Sequence, residues 1–183
     1  FEHADSLEVL NLSGNQLKDI PPEIFQFPNL RVLNLGNNQL RHLPEEVGKA
    51  VALSQLFLQK NKLHSLPASM SNMRELSNLQ LHDNEFDHVP TVLFDIESLQ
   101  RLEISLFKGE KYHLPPRLNN WKNLRSLRLT DAGLTELPAA FKKLRKLVSL
   151  NLSKNQFFCF PEEILSLSQL QKLYLNYNQL TEI

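Results

Sequence analysis

The sequence predicts an α/β repeat solenoid: an arc with parallel β-strands on its concave face and short helical or 3-10 segments on its convex face. Two observations carry that prediction. Leucine opens a unit at Leu7, Leu30, Leu53, Leu76, Leu99, Leu124, Leu147 and Leu170, at intervals of 23 residues except for one of 25. An apolar residue followed by proline recurs at one register, at Pro21, Pro44, Pro67, Pro90, Pro115, Pro138 and Pro161. A unit this short cannot bury its own apolar face and folds only by stacking on its neighbours. The chain, 1–183, is therefore predicted to be a single domain of about eight repeats, with starts near 7, 30, 53, 76, 99, 124, 147 and 170.

Each element of the unit has a physical reason. The pattern is LxxLxLxxNxLxxLPxx followed by two apolar positions three apart, as in Leu30, Leu33, Leu35, Asn38, Leu40, Leu43, Pro44, Val47 and Ala50. Leucines two apart, such as Leu33 and Leu35, have the period of a strand with one buried face. Apolar residues three apart after the proline, such as Ile164 and Leu167, suit one helical or 3-10 turn facing the same core. Proline fixes φ and starts that segment where a missing N–H costs nothing. Asn15, Asn38, Asn61, Asn84, Asn155 and Asn178 stand where the strand turns inward. An amide there can both donate to and accept from the peptides of the bend, so stacked units form an asparagine ladder.

The bulk numbers exclude several classes. Twenty Lys plus Arg balance twenty Asp plus Glu, so the formal net charge is zero, which argues against non-specific nucleic-acid binding. A hydrophobic fraction of 42% with 22% charged residues fits a folded chain. No apolar run approaches the ~20 residues needed to span a bilayer, so no membrane insertion is expected. Cys159 is the single cysteine, which excludes an intramolecular disulfide.

The 23-residue unit with its LxxLPxxhxxLxx segment (h apolar) resembles the leucine-rich-repeat family, and the resemblance covers essentially the whole chain. This subclass occurs in secreted or surface proteins of bacterial pathogens, pathogenic spirochaetes among them. It also occurs in intracellular Roco-type and Ras-scaffold proteins. The resemblance implies protein binding and leaves the partner open, because such repeats are reused for many ligands.

Repeats five and six depart from the pattern. Repeat five runs Leu99, Leu102, Ile104, Ser105, Leu106, Phe107, Lys108, Gly109, Glu110, Lys111, Tyr112, His113, Leu114, Pro115, with two extra residues and no ladder asparagine. Repeat six has Asp131-Ala132-Gly133 where others carry the asparagine. Either a bulge absorbs the insertion, or the loop 107–112 projects over the concave rim to meet a partner.

Candidate binding residues follow from strand alternation. The middle position of LxL reads Asn11, Asn34, Phe57, Gln80, Glu103, Arg128, Asn151 and Tyr174, and the position two before reads Val9, Val32, Gln55, Asn78, Arg101, Ser126, Ser149 and Lys172. Both point onto the concave face, as do the positions after LxL that include His82 and Tyr177. The repeat does not dictate their identity. Aromatic and arginine side chains dominate interface energetics, so Phe57, Gln80, His82, Arg101, Glu103, Arg128, Tyr174 and Tyr177 are the predicted partner-binding set.

Other chemistry finds little support. His42, Ser65, His88, His113, Glu136 and Cys159 form a column before the proline register, which reads either as a solvated edge or, at His88 and His113, as a metal-binding pair. No spacing motif singles out a metal, no cofactor is expected, and no catalytic residue is assigned. The five glycines form no phosphate loop, and no His shares a repeat with Cys159. The sequons Asn11-Leu12-Ser13 and Asn151-Leu152-Ser153 arise from the repeat itself.

The expectation is thus a non-enzymatic module that binds a partner protein on its concave face, a bacterial exported host-interaction protein, secreted or at the cell surface. The alternative is a fragment of a larger cytoplasmic scaffold or enzyme, with a kinase, GTPase or ubiquitin-ligase domain outside this sequence. Starting at Phe1 without Met and ending at Ile183 where a proline is due, the chain reads as truncated or uncapped at both ends, compatible with a removed signal peptide or with a homodimer through an end.

Overall fold

The structure is a computed structural model and describes residues 5–106, 114–115 and 118–182. The 107–112 loop of repeat five, His113, Phe1 and Ile183 lie outside the described residues. Eight strands form one parallel sheet in chain order: β1 Val9–Asn11, β2 Val32–Asn34, β3 Gln55–Phe57, β4 Asn78–Gln80, β5 Arg101–Ser105, β6 Ser126–Thr130, β7 Ser149–Asn151 and β8 Lys172–Tyr174. Register is one repeat per strand, so Leu10, Leu33, Leu56, Leu79, Leu102, Leu127, Leu150 and Leu173 pair in sequence. The sequence-predicted solenoid of parallel strands and short convex segments is the observed fold.

The convex segments are all 3-10 helix among the described residues: Pro22–Gln26, Glu45–Lys49, Ala68–Asn72, Thr91–Asp95, Asn119–Trp121, Ala139–Lys143 and Glu162–Ser166. Proline acts one position earlier than the first helical residue. Pro44, Pro67, Pro138 and Pro161 are N-caps in extended conformation. Their carbonyls accept the first turn's N–H, as in Val47 N to Pro44 O at 3.0 Å and Phe141 N to Pro138 O at 2.8 Å. The ring therefore sets the direction of entry and its carbonyl starts the turn. Between the second and third convex segments the backbones approach closely at Gly48, where a Cβ would lie 2.4 Å from the Ser69 carbonyl oxygen.

The apolar faces of strands and 3-10 segments meet in one continuous core that includes Leu33, Leu56, Leu79, Leu102, Leu127, Leu150, Val47 and Ile164. Trp121 and Phe94 fill it beside repeat five, their rings stacked 4.7 Å apart at 28°. At the two end strands Leu10 and Leu173 are only partly buried, since each has a neighbour on one side alone.

The ladder asparagines bridge consecutive units. Asn61 donates from Nδ2 to Leu35 O and Leu58 O, and its Oδ1 accepts from Leu40 N, all at 3.0 Å. Asn38, Asn84, Asn155 and Asn178 repeat this arrangement. Consecutive rungs share an acceptor: Leu35 O takes both Asn38 and Asn61, and Leu58 O takes both Asn61 and Asn84. Both lone pairs of those carbonyls are thereby used. Asn15 is exposed and bonds only within its own turn, to Leu12 O and Ser13 O.

Where repeats five and six lack the asparagine, the sheet itself lengthens. β5 and β6 pair over five residues, adding Ile104 with Leu129 and Ser105 with Thr130 to the usual three pairs. Ser105 and Thr130 are buried, and Ser105 Oγ accepts from Asp83 N at 2.9 Å. Asn155 spans the vacant rung of repeat six by accepting from both Ala132 N and Leu134 N.

Candidate concave recognition surface

Strand alternation sends one side chain per repeat outward in each of two rows, spaced ~4.8 Å from strand to strand. In the first row Phe57 of β3 pairs with Gln80, Gln80 with Glu103, and Glu103 with Arg128. In the second row Asn78 pairs with Arg101 and Arg101 with Ser126. Phe57, Gln80 and Glu103 are half-buried by their neighbours, while Arg101 and Arg128 are exposed. Arg128 Nη1 faces Glu103 Oε2 at 3.8 Å, so the two charges at the centre of the sheet are cross-strand partners.

The third row follows the strands. His82 is half-buried and its Nδ1 lies 3.1 Å from Asp83 Oδ2. Tyr174 and Tyr177 sit at the last repeat, 47% and 76% exposed. Thr130, which shares the row with His82, is turned into the extended ladder and is withdrawn from solvent. The predicted set thus divides in two: Phe57, Gln80, His82, Arg101, Glu103 and Arg128 form a contiguous strip on β3–β6, and the tyrosines stand apart on the final unit.

Two features escaped the sequence reading. The first is that the middle asparagines are occupied. Asn11 Oδ1 accepts from Ser13 N, Asn34 Oδ1 from Gly36 N, and Asn151 Oδ1 from Ser153 N, at 2.9–3.0 Å. An Asx turn closes the strand end at these units. The signal was legible as Asn-x-Ser or Asn-x-Gly, and it gives the two sequons a structural meaning. Phe57, Gln80, Glu103, Arg128 and Tyr174 have no such Asx turn to close. The second is a left-handed residue before each ladder position: Gly14, Asn37, Lys60, Asp83, Asp131, Lys154 and Tyr177 have φ between 55° and 73°.

The edge column is a series of histidine–carboxylate pairs. His42 Nε2 lies 3.5 Å from Asp19 Oδ1, His64 Nδ1 lies 3.4 Å from Glu85 Oε2, and His88 bonds Asp87. Among the described residues no three His, Cys, Asp or Glu side chains are grouped to hold a metal ion. Cys159 is exposed, and its backbone forms an isolated parallel bridge with Glu182 outside the eight strands. No helix of the described residues is long and apolar enough to cross a membrane.

Eight strands stacked in chain order, laddered beneath and varied in side chain above, define a solenoid with an open recognition face. The chain belongs to the leucine-rich-repeat family: the family described as Leucine rich repeat matches residues 5–63 and 120–180. A leucine-rich-repeat protein of Leptospira interrogans superposes with a TM-score of 0.91 at 41% identity, over 98% of this chain and 45% of that one. The plant peptide hormone receptor RGFR1, solved in complex with RGF2, superposes at 0.79 with 30% identity, over 95% of this chain and 29% of the receptor. The human leucine-rich repeat and IQ domain-containing protein 4 is 42% identical over 57 residues, 31% of this chain and 10% of that protein. The chain therefore spans less than half the length of each. The family's fold is a protein-interaction module, its stacked units presenting one extended concave surface.

Proposed function

We propose that this chain is a non-enzymatic recognition module that holds a partner protein on the concave strip Phe57, Gln80, His82, Arg101, Glu103 and Arg128, and that it serves as an exported bacterial protein in contact with a host. One observation carries the location: the middle row gives up its Asx-capping asparagine over four consecutive repeats, three to six, and otherwise only at Tyr174 of the last unit, so that a continuous run of side chains is released from a backbone duty. A half-buried aromatic, separated by Gln80 from a cross-strand Arg–Glu pair in the same row, supplies the anchor and the charge pattern that interfaces use. The exported bacterial role is supported by the spirochaete-like repeat and by the similarity to the Leptospira protein. The receptor bound to RGF2 supports a polypeptide ligand.

A second reading, a repeat segment within a larger signalling protein, is favoured by the small share of its relatives that the chain spans. The test is a pull-down from host material, followed by alanine substitution along the strip. Arg128→Ala and Phe57→Ala should each weaken capture by a factor of about ten, near 1.4 kcal/mol. Convex substitutions such as Lys49→Ala that cost more than these would refute the placement.

A further inference from the structure

At the edge where the chain enters its strands, opposite the ladder turns, two depressions of about 470 Å³ and 320 Å³ adjoin. They share Ser77, Gln100 and Arg125. Arg74 and Lys146 line the larger, and Arg101 lines the smaller at the lip of the concave face. All four cations are exposed. Among the described residues Arg74, Arg101 and Arg125 have no ion-pair partner, and Lys146 bonds only the neutral Asn123 amide. Glu75 is the single acidic residue lining the two depressions, and nearby Glu97 is paired with Lys122 at 2.8 Å. Asp95 and Glu97 line an adjoining depression that shares Arg74 and Ser98, so a chain of zero formal charge concentrates a net, partly offset positive charge in one groove.

We propose that this rim groove binds an acidic, extended peptide segment of a protein partner, a second contact surface that meets the concave strip at Arg101. Arg74 belongs to the entry of the fourth unit and Lys146 to that of the seventh, so the cations span three strand spacings, about 15 Å. That is the length of four to five extended residues at ~3.3 Å each. Arginine favours carboxylates through its planar, forked set of donors. The floor between the cations is Ser54, Ser77, Ser98, Gln100 and Asn123; the serine hydroxyls donate to backbone carbonyls of the solenoid and keep lone pairs that can accept a peptide N–H. Asn78 lines the smaller depression, and its amide oxygen has no donor among the described residues. Turning that amide toward the groove gives a peptide N–H an acceptor, which a phosphate chain could not use. No aromatic side chain lines either depression, so nucleobases find nothing to stack on.

The probe is fluorescein-labelled octaglutamate, followed by anisotropy at low and high salt, with octalysine and oligo-dT as comparisons. Octaglutamate should bind with salt-sensitive affinity, octalysine should not, and oligo-dT should bind at least tenfold more weakly. Arg74→Glu, Arg125→Glu and Lys146→Glu combined should weaken octaglutamate at least tenfold. Lys49→Glu on the convex face should change it less than twofold. The milder Arg74→Gln with Arg125→Gln, checked by circular dichroism, keeps the test valid if the reversal unfolds the chain. Absence of octaglutamate binding, equal affinity for oligo-dT, or an unaffected triple variant would overturn the proposal. Phe57→Ala and Gln80→Ala should weaken capture of the concave partner while leaving octaglutamate binding unchanged, so failure of the concave strip shows in capture alone and failure of the rim groove in octaglutamate binding alone.

Discussion

The indole nitrogen of Trp121 donates to the carbonyl oxygen of Leu93 across 2.7 Å, tying the convex segment of repeat five to that of repeat four. Its ring is buried and stacked on Phe94. This contact closes the core of the unit that carries two extra residues against its neighbour. Trp121→Phe keeps an aromatic ring in the site but leaves the Leu93 carbonyl without that donor. The expected cost is about 2 kcal/mol for the stranded acceptor and the lost volume. Urea unfolding followed by circular dichroism measures it; an unchanged midpoint would show that the hydrogen bond contributes nothing net.

Ladder rungs differ in value by position. Asn61→Ala removes the acceptor of Leu40 N outright, while Leu35 O and Leu58 O each keep a second donor from Asn38 and Asn84. The loss should be about 2 kcal/mol, most of it from the buried Leu40 N–H. Asn15→Ala touches only an exposed turn and should cost less than about 0.5 kcal/mol. Thermal melts of the two variants check the contrast, and equal shifts would contradict the linked-rung account.

These rungs also show why the fold was legible and the site only partly so. A buried leucine or amide must recur every unit because each stacks on its copy, so Leu33, Leu56 and Asn61 declare themselves by period alone. Outward positions obey no such constraint, and their alternation reveals the face but not the contacts. That Glu103 pairs with Arg128 follows from register once the strands are aligned. That Asn11, Asn34 and Asn151 are engaged while Phe57 and Gln80 are not depends on a local Asx geometry, invisible to a search for periodicity. The lengthening of β5 and β6 was hidden for another reason: Thr130 reads as solvent-facing by alternation, yet it is buried and pairs with Ser105 in the two units that lack the asparagine. The rim cations come from non-equivalent positions of different repeats, so only folding brings Arg74, Arg125 and Lys146 to one groove.

Lys60 occupies the left-handed position with φ of 56°. A side chain with a Cβ is strained there by about 1–2 kcal/mol, and asparagine tolerates it better. Repeat two already uses Asn37 at the equivalent place. Lys60→Asn should therefore raise stability by about 0.5 kcal/mol. Lys60→Gly should gain less, because glycine also widens the unfolded ensemble. Chemical denaturation of the three proteins gives the order directly, and a destabilised Lys60→Asn would mean that the lysine makes a compensating contact.

Glu97 and Lys122 meet at 2.8 Å on the exposed surface between repeats four and five. The hydrogen bond from the ammonium, and then its charge, hold the Glu97 carboxyl below its ordinary value. A depressed carboxyl stabilises the fold at any pH above its unfolded value, and the contribution disappears as pH falls through the folded one. The affected window is thus the acid side of the normal glutamate range, with neutral pH unaffected. Carbon-detected NMR titration should give Glu97 a lower midpoint in the wild-type chain than in Lys122→Gln. The gap should shrink in 1 M salt, where an exposed pair is screened within ~3 Å. Equal midpoints in the two proteins would show that the pair does not form in solution, and the stability difference between them should narrow as the carboxyl is protonated.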